Sequence, residues 1–189
     1  MKKLFNTSIL ITLTFVILTQ SICCLGNNYP NGILDRSKVY DASKTITSST
    51  YPNSEEVLLD DYTKEVYNPD GTSTVWDDTI IKILTEKGKR ENKTLSFYYT
   101  LPYSSVELVI LEIMKPDGSI QNIDVSQQSR VMINNSQMSS NIYNPNSKIL
   151  KVNIADLQVG DIIRYVSYRK QVKARMPNTW SDYSLFEST

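Results

Sequence analysis

Eight carboxylates stand where acids could share a substrate: Glu55 and Glu56, Asp60 and Asp61, Asp77 and Asp78, with Asp117 and Asp161 alone. Two carboxylates at a suitable separation suffice for glycoside hydrolysis. The adjacent pairs argue against it, because neighbours on a strand face opposite sides of a sheet and need a bulge to act together. The expectation is therefore solvated strand faces and turn caps. A carboxylate hydrolase is the outlying alternative, and it needs two acids from different strands on one cleft. The 189 residues include two Cys and no His. That excludes a Ser/His/Asp triad, a Cys/His dyad, His-ligated zinc and an imidazole base near neutral pH. No catalytic residue, cofactor or metal ligand is assigned, and the chain is expected not to be an enzyme. Lys plus Arg number 20 and Asp plus Glu number 20, so there is no basic excess of the kind that displaces counterions from nucleic acid. The short basic stretch Arg169, Lys170, Lys173 and Arg175 reads as a charged sheet edge. Twelve Tyr with Trp76 and Trp180 could line a sugar-binding surface, although aromatics on strands are more often core or cross-strand partners.

The amino terminus reads as an address. Lys2 and Lys3 precede an apolar run of ten, Ile9–Leu18, and small or polar residues follow at Thr19, Gln20 and Ser21. That order is a secretory signal over residues 1–26, with cleavage after Cys23 or Gly26. The run is short of the roughly 20 residues of a transmembrane span. A lipid anchor at Cys23 or Cys24 is the alternative, disfavoured because Ile22 precedes Cys23 and Cys23 precedes Cys24 where a small residue is preferred. A periplasmic or extracellular location follows. The remaining body carries no Cys and therefore folds without disulfides. Loss of Lys2 and Lys3 leaves 18 positive against 20 negative charges, a net charge of −2.

Residues 27–53 form a polar, loosely ordered lead-in with one helical turn near Asp35–Ala42. From 54 to 189 the pattern changes to β-branched and aromatic runs cut by turn residues. Val57–Tyr67 and Ser73–Leu84 flank Asn68-Pro69-Asp70-Gly71, and Val106–Lys115 and Ile120–Val125 flank Pro116-Asp117-Gly118-Ser119. Proline presets the turn, aspartate bonds back to the backbone and glycine takes positive φ, so both read as hairpins rather than calcium loops. Thr94–Thr100, Lys148–Ile154 and Asp161–Lys170 are further strands, Ser126–Ser147 is a long connection or an irregular edge pair, and Asp156–Asp161 is one helical turn ended by glycine. The sum is an all-β antiparallel sandwich of about seven strands.

The order of these segments is distinctive. The Asn68-Pro69-Asp70-Gly71 hairpin, the Phe97-Tyr98-Tyr99 strand, Val109–Ile113 running into Lys115-Pro116-Asp117-Gly118-Ser119, and Leu157-Gln158-Val159-Gly160-Asp161 resemble the β-rich domain of unknown function that precedes transglutaminase-like cores in exported bacterial proteins. The likeness runs from about Val57 to Tyr183. It implies a β-sandwich without catalytic residues of its own, followed in such proteins by a papain-like core with a Cys, His and Asp triad. No such core is present in these residues, so the chain is expected to be a truncated product or an isolated leading domain, with the edge of its last strand unpaired. Its expected role is scaffold or docking module for that downstream core, with envelope protein or polysaccharide as further partners. The alternative is a free-standing secreted protein that binds carbohydrate or envelope polymer.

Overall fold

The β-branched and aromatic runs become eight antiparallel strands among the described residues, 34–136, 143–176 and 178–179 of this computed structural model. A helix, α1 (Arg36–Ser43), comes first and is followed by β1 (Glu56–Tyr67), β2 (Ser73–Ile83), a second helix α2 (Glu86–Glu91), β3 (Thr94–Thr100) and β4 (Ser104–Met114). Then come β5 (Ile120–Asn122), a single turn α3 (Val125–Gln128), β6 (Ser129–Ile133), β7 (Ser147–Asn153) and β8 (Ile162–Gln171). A five-stranded sheet has the order β1-β2-β8-β4-β5 and a three-stranded sheet the order β3-β7-β6. The expected sandwich is observed, with one strand more than anticipated because β6 emerges from the Ser/Asn-rich connection. The signal segment, Cys23, Cys24 and Trp180 lie outside the described residues.

Both Pro-Asp-Gly turns are built alike. Asp70 Oδ1 accepts from the Thr72 amide and hydroxyl at 2.9 and 2.7 Å, and Asp117 Oδ1 from the Ser119 amide and hydroxyl at 2.8 and 2.7 Å. These bonds, the hydroxyl's foremost, hold both carboxyls below the usual carboxylate range. Gly71 and Gly118 sit at φ +81° and +86°, where a Cβ is strained. The glycine-ended turn at Asp156–Asp161 is not helical; Asp156 and Gly160 both take positive φ there. The last described strand, β8, is hydrogen-bonded on both sides, to β2 and β4. Among the described residues the open sheet edges are therefore β1, β5, β3 and β6, and β8 is not one of them. Central position comes from the chain returning between two earlier hairpins.

The main core fills the space between the sheets. Ile83, Leu111, Ile113 and Ile163 from the larger sheet meet Leu95, Leu150 and Val152 from the smaller, with Ile154 and Leu157 from the loop after β7. The other face of the larger sheet carries α1, where Tyr40 packs on Ile80 and Ile162, with Leu59 and Met114 alongside. The described part of the lead-in is thus anchored rather than loose. Helix α2 was not anticipated. Thr85 caps it by accepting from the Gly88 amide at 3.1 Å, and the Leu84 and Thr85 amides both donate to the Glu55 carbonyl, at 3.0 and 3.2 Å.

Charge is also buried under α1. Asp78, Glu112 and Arg164 expose 0, 2 and 5% of their surface. Arg164 donates through Nε and Nη2 to the two oxygens of Asp78 at 2.9 and 2.7 Å, and through Nη1 to Glu112 Oε1 at 3.3 Å. From α1, Arg36 Nη1 reaches Glu112 Oε2 at 2.8 Å and the Tyr40 hydroxyl donates to Oε1 at 3.1 Å. The Leu34 amide donates to Asp78 Oδ2 at 3.0 Å. Asp78 raises the Arg164 pKa further, while burial and then the Glu112 charge push up the Tyr40 hydroxyl.

Three outcomes follow from this packing. A Cβ at Gly88 would run into the Glu55 carbonyl, so Gly88→Ala lowers stability by about 1–3 kcal/mol, the range of an overpacked contact, measured by urea unfolding with an unchanged slope. Arg164→Met takes the guanidinium from buried Asp78 and leaves Glu112 to Arg36 and Tyr40 alone, and costs about 3–5 kcal/mol. Arg36→Ala, at a side chain 46% exposed, costs about 1 kcal/mol or less in the same measurement.

Candidate functional site

The carboxylates that the sequence offers are sorted by the pleat, and two bulges decide the sorting. In β2, Asp77 faces the smaller sheet and Asp78 faces α1, as alternation requires. In β1 the register shifts between Leu58, opposite Ile81, and Asp60, opposite Ile80. The extra residue turns Asp61 to the inner face, opposite Thr79, and sends Asp60 outward. Asp61 and Asp77, from different strands, therefore line one cleft. The argument from alternation holds within each pair, and the cross-strand placement it left open is reached by Asp61 and Asp77 only through a bulge that the residues do not announce.

That cleft, of about 410 Å³, lies between the inner face of β1, β2 and β8 and the free edge of β3. Asp77 is held by three donors: Thr63 Oγ1 at 2.8 Å, Ser167 Oγ at 3.2 Å and Arg169 Nη2 at 2.8 Å. Asp61 accepts from Thr79 Oγ1 at 3.0 Å. The Tyr165 hydroxyl, raised in pKa mainly by its burial, borders the same space, and its ring meets Phe97 edge-on at 5.9 Å. Tyr98 stands at the rim, 59% exposed. The result is a groove of oxygens and one guanidinium with its donors supplied largely from within the fold, suited to hydrogen-bonding a polar ligand.

The other sequence candidates serve the fold. Glu55 accepts from Thr85 Oγ1 at 2.6 Å and from Lys87 Nζ at 3.0 Å, bonds that hold its carboxyl below the usual range. Glu56 accepts from Asn92, and Asp117 shapes its turn. Asp161 is buried, with Lys115 Nζ at 2.7 Å and the Gln158 amide at 2.8 Å on Oδ2. Among the described residues no group of three or more His, Cys, Asp or Glu is placed to hold a metal ion, and no helix is long and apolar enough to cross a membrane. The basic stretch is not a charged edge. Arg169 and Lys170 lie on opposite faces of the central strand β8, and Lys173 and Arg175 stack over the Tyr103 ring at 5.6 and 5.4 Å.

On the α1 side of the larger sheet, beyond the helix, an aromatic row remains half-exposed. Trp76 stacks on Tyr168 with ring centroids 4.2 Å apart, Lys170 Nζ sits 4.9 Å over Tyr168, and Tyr62 and Val66 of β1 lie on the same face, 41 and 46% exposed. A second feature of this face is a cavity of about 590 Å³ at the carboxyl end of α1, bordered by Lys82. Sequence reading missed Arg164, Glu112, Tyr40 and Lys82. A usable signal was present: a lone Glu in Val109–Met114 and a lone Arg in Ile162–Val166 each interrupt an apolar run, and a charge there has to be paired.

Comparison with known proteins agrees with this architecture. No curated protein matches the chain. A crystal structure of a "putative protease" from Parabacteroides distasonis superposes with a TM-score of 0.56 at 12% identity, covering 64% of this chain and 24% of that one. At that identity the likeness is one of fold, and this chain spans about a quarter of that protein's length. Residues 69–189 match a domain of unknown function with a solved structure, DUF3857. The resemblance carried by the two Pro-Asp-Gly turns and the Val159-Gly160-Asp161 step is thereby borne out, and the chain belongs to the DUF3857 family.

Proposed function

We propose that this chain is a non-catalytic module of an exported transglutaminase-like protein, and that it positions or docks a downstream papain-like core. The observation that carries the reading is the half-exposed row of Trp76, Tyr168, Tyr62 and Val66 beside α1. Half-exposed aromatic surface on one sheet face, here with Lys64 and Lys170 among the rings, marks a place where another surface is buried. Support also comes from the fold's occurrence within a much longer chain described as a "putative protease", and from the absence of His in this sequence, so that the imidazole of a Cys, His and Asp triad would have to come from elsewhere. Residues 1–26, with Lys2, Lys3 and the Ile9–Leu18 run, would direct export.

The inner cleft favours a second reading, a carbohydrate-binding protein. Asp61, Asp77 and Arg169 in the cleft, with the exposed Tyr98 at its border, are residue types that recognise sugar hydroxyls and a sugar face. The two readings separate by experiment. The sequence contains two Trp, so in a Trp180→Phe background under Trp-selective excitation Trp76 is the module's one emitting Trp, and the joined core is used in a Trp-free form. Joined to a downstream Cys, His and Asp core encoded in the same frame, the module should show several-fold weaker acrylamide quenching of Trp76 than it does alone. Equal quenching, or turnover of a substrate by the module alone, would overturn the docking reading. Saturable binding of a soluble polysaccharide, lost in Tyr98→Ala, would favour the second.

A further inference from the structure

The cavity at the carboxyl end of α1 differs in chemistry from the cleft and from the aromatic row. It lies between residues 44–48, the end of β2, and the turns 116–118 and 159–160. At about 590 Å³ it falls in the range of small-molecule sites. Ile46, Leu84, Met114, Val159 and Ile162 supply an apolar wall.

Of the three lysines that line it, two sit in ion pairs and one does not. Lys44 pairs with Asp41 at 2.7 Å and Lys115 with Asp161 at 2.7 Å. Asp117, on an exposed turn, is occupied by the Ser119 amide and hydroxyl. Lys82 is half-buried and donates to the Ser43 carbonyl at 2.8 Å. No ion pair to a carboxylate is formed by Lys82 among the described residues, in contrast to its lysine neighbours. Burial alone pulls its pKa below the ordinary lysine value. The carbonyl end of α1 meets part of what that ammonium needs, and among the described residues its other two donors meet no protein acceptor. A cation removed from water without a counter-ion is costly, and an anion delivered beside it recovers that cost.

We propose that this cavity binds an amphiphilic carboxylate, its apolar body against Ile46, Leu84, Met114 and Val159 and its carboxylate on Lys82 Nζ. The site lies at the opposite end of β2 from Trp76 and stands apart from the docking reading. An acyl chain acid and an amino-acid carboxylate share this chemistry, so the experiment carries one arm for each.

Calorimetric titration with octanoate and with N-acetyl-phenylalanine is compared with octanamide and N-acetyl-phenylalaninamide. At least one acid should bind roughly 10- to 100-fold more tightly than its amide, the range set by a charge-assisted hydrogen bond. The arm that binds identifies the source. Lys82→Met should remove that preference while apolar contact persists. Val159→Glu, on a turn residue 39% exposed, puts a competing carboxylate at the rim and should weaken the acid whether or not Lys82→Met folds. Affinity should also hold at neutral pH and fall as pH rises through the lowered range of Lys82, since the ammonium is the form bound. Binding by neither acid, equal binding of acid and amide, or a wild-type response in Val159→Glu would overturn the proposal.

Discussion

Arg164 carries a charge into the middle layer of the molecule, and the position of α1 depends on how that charge is met. It sits on the central strand, between an apolar core on one side and a helix on the other. Burying a guanidinium costs several kcal/mol unless carboxylates accept its donors in good geometry. β2 and β4 each supply one, Asp78 and Glu112. Two carboxylates exceed one arginine, and the surplus is met from the lead-in by Arg36, the Tyr40 hydroxyl and the Leu34 amide. The helix is therefore tied to the sheet by charge as well as by the contact of Tyr40 with Ile80 and Ile162. A polar lead-in becomes part of the fold because the sheet needs its donors.

Two bulges make this arrangement available. With unbroken alternation from Leu108, Glu112 would face the sandwich core; the register shift between Leu108 and Ile110 turns it to the α1 face, opposite Arg164. The shift in β1 does the converse, bringing Asp61 inward to the cleft that holds Asp77. Single extra residues thus assign one carboxylate to the structural network and another to the groove. Neither assignment is a property of residue type. Each belongs to the register.

This explains what could be read from the chain and what could not. The hairpins were legible because their chemistry is local: Asp70 and Asp117 bond two residues ahead, and glycine supplies the positive φ. β3 was legible to its ends, Thr94 and Thr100, from β-branched and aromatic content. Long-range features were not. Arg164 and Asp78 are 86 residues apart, and no spacing rule joins them. β6 is a short edge strand in a Ser- and Asn-rich segment, formed because β7 offers a partner. Helix α2 contains Gly88, a poor helix former, retained because the Glu55 backbone passes too close for any side chain. In each case tertiary contact overrode local preference.

The same face of the larger sheet now has three zones along β2: the aromatic row at Trp76, the ionic anchor at Asp78, and the cavity at Lys82. The helix is held at both ends by groups from the sheet, but not equally. Near its start Asp78 and Glu112 are saturated by donors, so nothing from outside can enter without breaking a buried network. At its end Lys82 rests on one neutral carbonyl beside an open, apolar-walled space. An incoming anion there adds to the existing bond and need not displace it, because an ammonium carries three donors. The middle zone is thus closed by its own electrostatics. What the face can accept from outside divides between an aromatic surface at one end and a charged cavity at the other.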